Sequence, residues 1–233
     1  MIKLFRKIRQ KLLSEKKISK YLIYAIGEII LVVIGILIAL QVNNWNQRKQ
    51  NQKKEILYLT RLTTNLGYDK RLYETIISND SILINELNDF NEDLQISIDN
   101  VVNPIEDLHF LITSYKFTSN RTTIDNLISS GKIELLRSNY LVEDIFLYYR
   151  TAEDIEKAID EALIKYNREK FSDLILEFDK NNLSNNNYTR ELANSINFKI
   201  KIITDQLNLY GKQKAFAENL INKINNEIEF IRD

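Results

Sequence analysis

Apolar residues follow two patterns along the chain. From Tyr21 to Val42 they run almost without a break, as YLIYAIGEIILVVIGILIALQV. After that they recur every three or four positions between polar and charged residues. The first pattern predicts a helix that is apolar all round, and the second predicts helices with one buried stripe. The 22 residues of 21–42, at about 1.5 Å each, reach roughly 33 Å, enough for a hydrocarbon core of about 30 Å. Fourteen of them are Leu, Ile or Val, which favours membrane insertion by about 4 to 8 kcal/mol. Glu28 opposes this by on the order of 3 kcal/mol, so the apolar residues win. Tyr21 and Trp45 stand where interfacial aromatic anchors belong.

The periodic part predicts the elements of the body. A heptad-like register runs through Leu59, Leu62, Leu66, Tyr73, Ile76, Leu83, Leu87, Phe90 and Leu94. Asp69 or Lys70, and Asp80, interrupt that seam. Asn103, Pro104 and Glu106 read as the start of a helix whose buried face is Leu108, Leu111, Ile112 and Tyr115. Residues 118–140 are the least regular part. Thr122 with Asp125 suggests a helix start, and Gly131 sits where a left-handed residue would stop that helix. Ser138 or Asn139 caps a helix with the register Leu141, Ile145, Tyr148, Ala152, Ile155, Ile159, Ala162, Tyr166. Residues 179–187, DKNNLSNNN, read as a loop. Thr189 caps a last helix with the seam Leu192, Ile196, Ile203, Leu207, Tyr210, Leu220, Ile224, Ile228, Ile231, and Gly211 is a candidate kink. Strand signals are nearly absent. The expectation is an all-α protein: one transmembrane helix (21–42) continuing into a bundle of three or four long, coiled-coil-like helices that forms one domain over 43–233.

Charge adds a direction. The chain holds 32 basic and 32 acidic residues, yet residues 1–20 carry eight basic residues and one acidic. That leaves 24 basic against 31 acidic over 21–233. The positive end is expected in the cytoplasm, and the body beyond the span outside it. A cleaved signal peptide is the rival reading, but the apolar core is long and no A-x-A-like site follows it. Residues 1–20 place Ile2, Phe5, Ile8 and Leu12 between basic groups, which suits a short helix on an anionic leaflet. So close to a membrane, that segment is not read as a nucleic-acid binder.

Two stretches carry a resemblance. Residues 1–46 combine the basic tail, the Gly27-Glu28 pair inside the span and the exit Asn43-Asn44-Trp45-Asn46. Residues 123–141 read TIDNLISSGKIELLRSNYL. Together they resemble an uncharacterised family of bacterial single-pass membrane proteins, a domain of unknown function. The resemblance implies an inner-membrane protein with a helical body in the periplasm, and it carries no activity, cofactor or catalytic residue.

Chemical constellations are scarce. There is one histidine, His109, and no cysteine, which removes Cys/His zinc sites and disulfides and leaves His109, with no nucleophile named beside it, to be read as a structural or surface residue and not a general base. The acidic run Glu153, Asp154, Glu156, Asp160, Glu161 reads as a solvated, ion-paired helix face. Ser129, Ser130 and Gly131 form a turn that either binds a peptide or small anion or stops a helix at a packed corner. Glu28, Gly35 and Ala39 share one stripe of the span, and the small pair would let two such helices approach closely. The function expected is a non-enzymatic, membrane-anchored interaction or scaffolding module without cofactor or metal. Its partners would be the bilayer, a second copy through the span and an unidentified protein. The alternatives are an extracytoplasmic sensor domain signalling through a membrane partner and, last, an enzyme restricted to carboxylates, Lys and Tyr.

Overall fold

The computed structural model describes residues 18–178 and 186–233. The basic segment 1–17 and most of the loop 179–187 lie outside the described residues. The chain forms two compact units, Met1–Lys54 and Glu55–Asp233. All regular structure among the described residues is helical, so the protein is all-α. Helix α1 covers Ile18–Glu92, α2 Leu94–Asp99, α3 Pro104–Asp107, α4 Thr122–Ser129, α5 Asn139–Ile159, α6 Ser172–Leu176 and α7 Asn186–Arg232.

In the first unit, α1 carries a stretch long and apolar enough to cross a membrane. Its large side chains, Leu22 and Ile23 through Leu40 and Val42, are exposed within the chain. Among the described residues of this unit, these side chains form a continuous exposed apolar surface.

In the second unit, α1 from Glu55 onward, α5 and α7 share two hydrophobic clusters. One includes Leu59, Leu62, Leu66, Leu141, Ile145, Leu220, Ile224 and Ile228. The other includes Tyr73, Ile76, Leu83, Leu87, Ile155, Ile159, Ile196, Ile203 and Tyr210. The buried side chains of α1 follow intervals of three and four, as expected for one helical stripe meeting its neighbours.

Local signals start and stop these elements. Ser138 caps α5 by accepting the Leu141 amide at 3.4 Å. Pro104 opens α3 as expected. The acid that reaches back is Asp107 rather than Glu106: its Oδ2 accepts the Val102 and Asn103 amides, both at 2.8 Å. Gly131 has φ 66°, the left-handed conformation expected of it, and it ends the turn after α4.

Several expectations change. The helix proposed over 108–115 does not form: α3 stops at Asp107, a 3-10 turn covers His109–Leu111, and residues 113–121 lack regular structure. Thr, Ser and Asn crowd this stretch, and their side chains compete for backbone partners. Thr122 does not cap α4. Instead, Asn120 Oδ1 accepts both its amide and its hydroxyl, at 3.3 and 2.9 Å. Helix α7 begins at Asn186, so Thr189 lies inside it, and it passes Gly211 without interruption. After Ile159 the chain makes two π-helical turns, Asp160–Ile164 and Asn167–Phe171. Each wide turn adds a residue to the repeat, so Leu163, Asn167 and Phe171 are buried while Ala162 is exposed and Tyr166 only half-buried.

Candidate functional site

The polar residues that interrupt the seams are inside the protein. Asp69, Asp80, Lys199 and Gln206 are fully buried, and Glu55, Asn167 and Gln213 nearly so. Burying such groups is unfavourable unless each finds partners. Most of those partners belong to the irregular segment 110–120, which lies against α1, α5 and α7.

The attachment can be followed residue by residue. Lys199 Nζ donates to the carbonyls of Phe110, Leu111 and Thr113 at 3.2, 2.5 and 2.9 Å. Asn167 Nδ2 donates to the carbonyls of Ile112 and Thr113 at 3.3 and 3.4 Å. Gln206 Nε2 donates to the Tyr115 carbonyl at 2.9 Å and to Asp80 Oδ2 at 2.7 Å. The Phe117 amide donates to the Tyr210 hydroxyl at 3.2 Å, and the Phe117 ring stacks on Tyr73 with centroids 3.7 Å apart. The Asn120 amide donates to Asp69 Oδ1 at 2.8 Å, and Tyr149 donates to the Asn120 carbonyl at 3.2 Å. Tyr148 closes this end by donating to Asp69 Oδ2 at 2.9 Å. A segment that lacks regular structure from residue 113 onward thus has several of its backbone groups met by side chains of the packed helices, which is what their burial demands.

A third buried carboxylate, like Asp69, accepts a backbone amide. Glu55 accepts the Arg137 amide at 2.8 Å and its guanidinium Nε at 2.7 Å, tying the segment before α5 to α1. Outside the core, Lys116 pairs with Asp160 at 2.6 Å and Glu156 at 3.5 Å.

The core shifts the titration of its members. Burial raises Asp80 to about 7, opposed by the Gln206 hydrogen bond and the nearby Lys199 charge. Burial pushes Lys199 down to about 7, with Asp80 pulling the other way. Burial also raises Asp69, although the Asn120 amide and the Tyr148 hydroxyl oppose it. The three carbonyls around Lys199 match the three N–H groups of an ammonium.

The residues singled out by sequence lie elsewhere. Glu28 is half-buried in the first unit, and Gly35 and Ala39 are exposed along the same helix. A Cβ on Gly35 would meet nothing within 4 Å. Trp45 is 59% exposed, with Lys49 Nζ 4.2 Å from the ring centre. The side chain of Tyr21 lies outside the described residues. The hydroxyls of Ser129 and Ser130 both donate to the Asn126 carbonyl, at 3.3 and 2.6 Å. His109 is exposed and bonds locally to the Glu106 carbonyl. Glu153 pairs with Lys157 at 2.7 Å and with Arg121 at 3.7 Å. Among the described residues no three His, Cys, Asp or Glu side chains are grouped to hold a metal ion.

The buried Lys199, Gln206 and Gln213 are polar positions that the apolar seam of the last helix passes over. The signal existed, since these three are seven apart and continue the three-and-four spacing of α7 through polar positions.

No curated protein and no solved structure matches the chain. A family model described as a family of unknown function (DUF6090) matches residues 28–152, more than half of the chain. The match begins within the apolar stretch and ends within α5, taking in Asp69, Asp80 and the whole of the 110–120 segment. The chain belongs to this family of unknown function, DUF6090.

Proposed function

We propose that the protein is a membrane-anchored helical interaction or scaffolding module and not an enzyme. Residues 21–42 span the inner membrane, 1–20 remain in the cytoplasm, and 43–233 form a periplasmic helical bundle with coiled-coil-like seams. The observation that carries this reading is the run of exposed apolar side chains from Leu22 to Val42. A patch of that length is at home in lipid and not in water. Trp45 with Lys49 over its ring suits the headgroup zone. The buried polar groups of the second unit serve to hold one segment of the chain, which suits a shaped surface better than a reaction centre. No cofactor or nucleic acid enters this proposal.

A reporter fused after Asp233 is expected to be active only outside the cytoplasm, in a product that resists alkaline carbonate extraction. Cytoplasmic activity, or release of a shortened soluble product, would overturn the assignment. The span is also proposed to pair with a second copy through Glu28, Gly35 and Ala39. In a membrane two-hybrid assay on residues 1–60, Glu28→Leu and Gly35→Ile should each weaken association. Unchanged association of both would leave the span as an anchor only. Ser129, Ser130 and Gly131 are assigned to the stop of α4 and not to a binding turn, since both hydroxyls are engaged locally. A second reading, a sensor domain acting through a membrane partner, draws support from the buried titratable groups Asp80 and Lys199.

A further inference from the structure

We propose that Asp80 keeps its proton in the folded domain and donates it to the side-chain carbonyl of Gln206, so that attachment of residues 110–120 to the helices depends on one buried proton. The inference does not depend on where the domain sits in a cell.

The geometry begins with the Gln206 amide. Its nitrogen donates to two acceptors, Asp80 Oδ2 at 2.7 Å and the Tyr115 carbonyl at 2.9 Å. The Tyr115 carbonyl can only accept, so the orientation of the amide is fixed: turning it over would set oxygen against oxygen there. That leaves Gln206 Oε1 as the amide's one acceptor, with no donor from either partner while Asp80 is ionised. Gln206 Oε1 and Asp80 Oδ1 are each buried and without a hydrogen-bond partner. Two buried acceptors with no donor between them are expensive. A proton on Asp80 Oδ1 removes the charge from a fully buried carboxylate and supplies the donor that Oε1 lacks. The result is an acid–amide pair whose remaining N–H grips the 110–120 segment at Tyr115.

The surrounding charges permit this state. From α7, Lys199, Gln206 and Tyr210 face Asp80. The segment contributes the Tyr115 carbonyl at the shared amide. Further out, Glu156 of α5 and Asp160 of the π turn act on the same Tyr210 and are balanced by Lys116. Lys199 is the cation acting on the carboxyl among the described residues, and its three N–H groups are directed at the carbonyls of Phe110, Leu111 and Thr113. Burial sets Asp80 near 7 in the folded domain, against an ordinary value of 3.8. Opening the segment to water therefore releases a proton at any pH between those values.

Hydrogen–deuterium exchange on the full chain in detergent tests this, read at the Phe117 amide and corrected for intrinsic exchange. Protection should fall close to tenfold per pH unit from about 4.5 to 6.5, the linkage expected for one proton, and stop falling near 7, where the opposite linkage of Lys199 begins. In Asp80→Asn the dependence should vanish. A wild-type profile flat over that range overturns the proposal. Persistence of the slope in Asp80→Asn also overturns it and assigns the proton to Asp69. Should Asp80→Asn fail to fold, infrared spectra of the wild type and Asp69→Asn decide. A protonated-carboxyl band present in both near pH 6 supports Asp80, and its absence from either overturns the proposal.

Discussion

A buried polar side chain stabilises a fold only if its partners are in place, and this protein meets that condition mostly with backbone groups. Asp69, Lys199, Gln206 and Asn167 each bond to main-chain atoms of residues 110–120. Removing any one leaves a carbonyl or amide in the core without a partner, a loss of about 1–3 kcal/mol. Gly131 works differently. Its φ of 66° is the only positive glycine φ in the described backbone, yet a Cβ there would meet nothing within 4 Å. The cost of replacing it is therefore conformational and not steric crowding. Gly131→Val is expected to destabilise the domain by more than about 1 kcal/mol in chemical denaturation, through the left-handed penalty on a β-branched residue. Gly131→Asn should cost distinctly less, and Ser130→Ala little. Equal, negligible effects of Gly131→Val and Ser130→Ala would mean that the turn is a free loop.

At the scale of elements, the π turns after α5 decide which residues enter the core. A regular α-helix would continue the stripe Ile155, Ile159, Ala162, Tyr166. The wide turns at Asp160–Ile164 and Asn167–Phe171 move it to Leu163, Asn167 and Phe171. That shift brings Asn167 to the carbonyls of Ile112 and Thr113, so the π turns and the 110–120 segment depend on one another. Leu163→Ala is expected to cost about 2–5 kcal/mol, as a buried leucine truncation does. Ala162→Leu should stay within about 0.5 kcal/mol, as an exposed substitution does. The reverse ranking in urea denaturation would restore an uninterrupted α-helix through residue 164.

At the scale of the molecule, the buried titrating groups give stability an unusual pH profile. Asp80 has its folded value raised to about 7. Its contribution is fully present below its unfolded value near 4 and is lost as pH rises through 7. Asp69, also raised, acts in the same direction. Lys199 has its folded value lowered to about 7 from 10.5, so the unfolded chain binds the extra proton and stability rises from about pH 7 toward 10. The exposed carboxylates Asp107, Glu153 and Glu218 are held below their ordinary range, and their effect is confined to the acid end. The sum is a minimum near pH 7. Urea midpoints between pH 5 and 9 check it, with Asp80→Asn flattening the acid limb and Lys199→Met the alkaline one. A maximum near neutrality would refute the assigned shifts.

The sequence alone determined what depends on local pattern. The apolar run 21–42, the all-α class, the stop at Gly131, the cap at Ser138 and most buried positions of α1, α5 and α7 follow from spacing and from residues with strong backbone preferences. These effects act over one or two helical turns, so a linear reading reaches them. Tertiary structure decided the rest. Asp69 and Asp80 read as breaks in a seam because their partners, Asn120, Tyr148 and Gln206, are 51, 79 and 126 residues away in the chain. Residues 113–121 lose the helix that their apolar spacing suggested because side chains of three helices supply what an intrahelical ladder would have supplied. The π turns have no signature in the sequence, since they arise where packing Leu163 and bonding Asn167 outweigh regular hydrogen bonding. A buried polar group takes its meaning from what faces it, and only the folded chain brings those groups together.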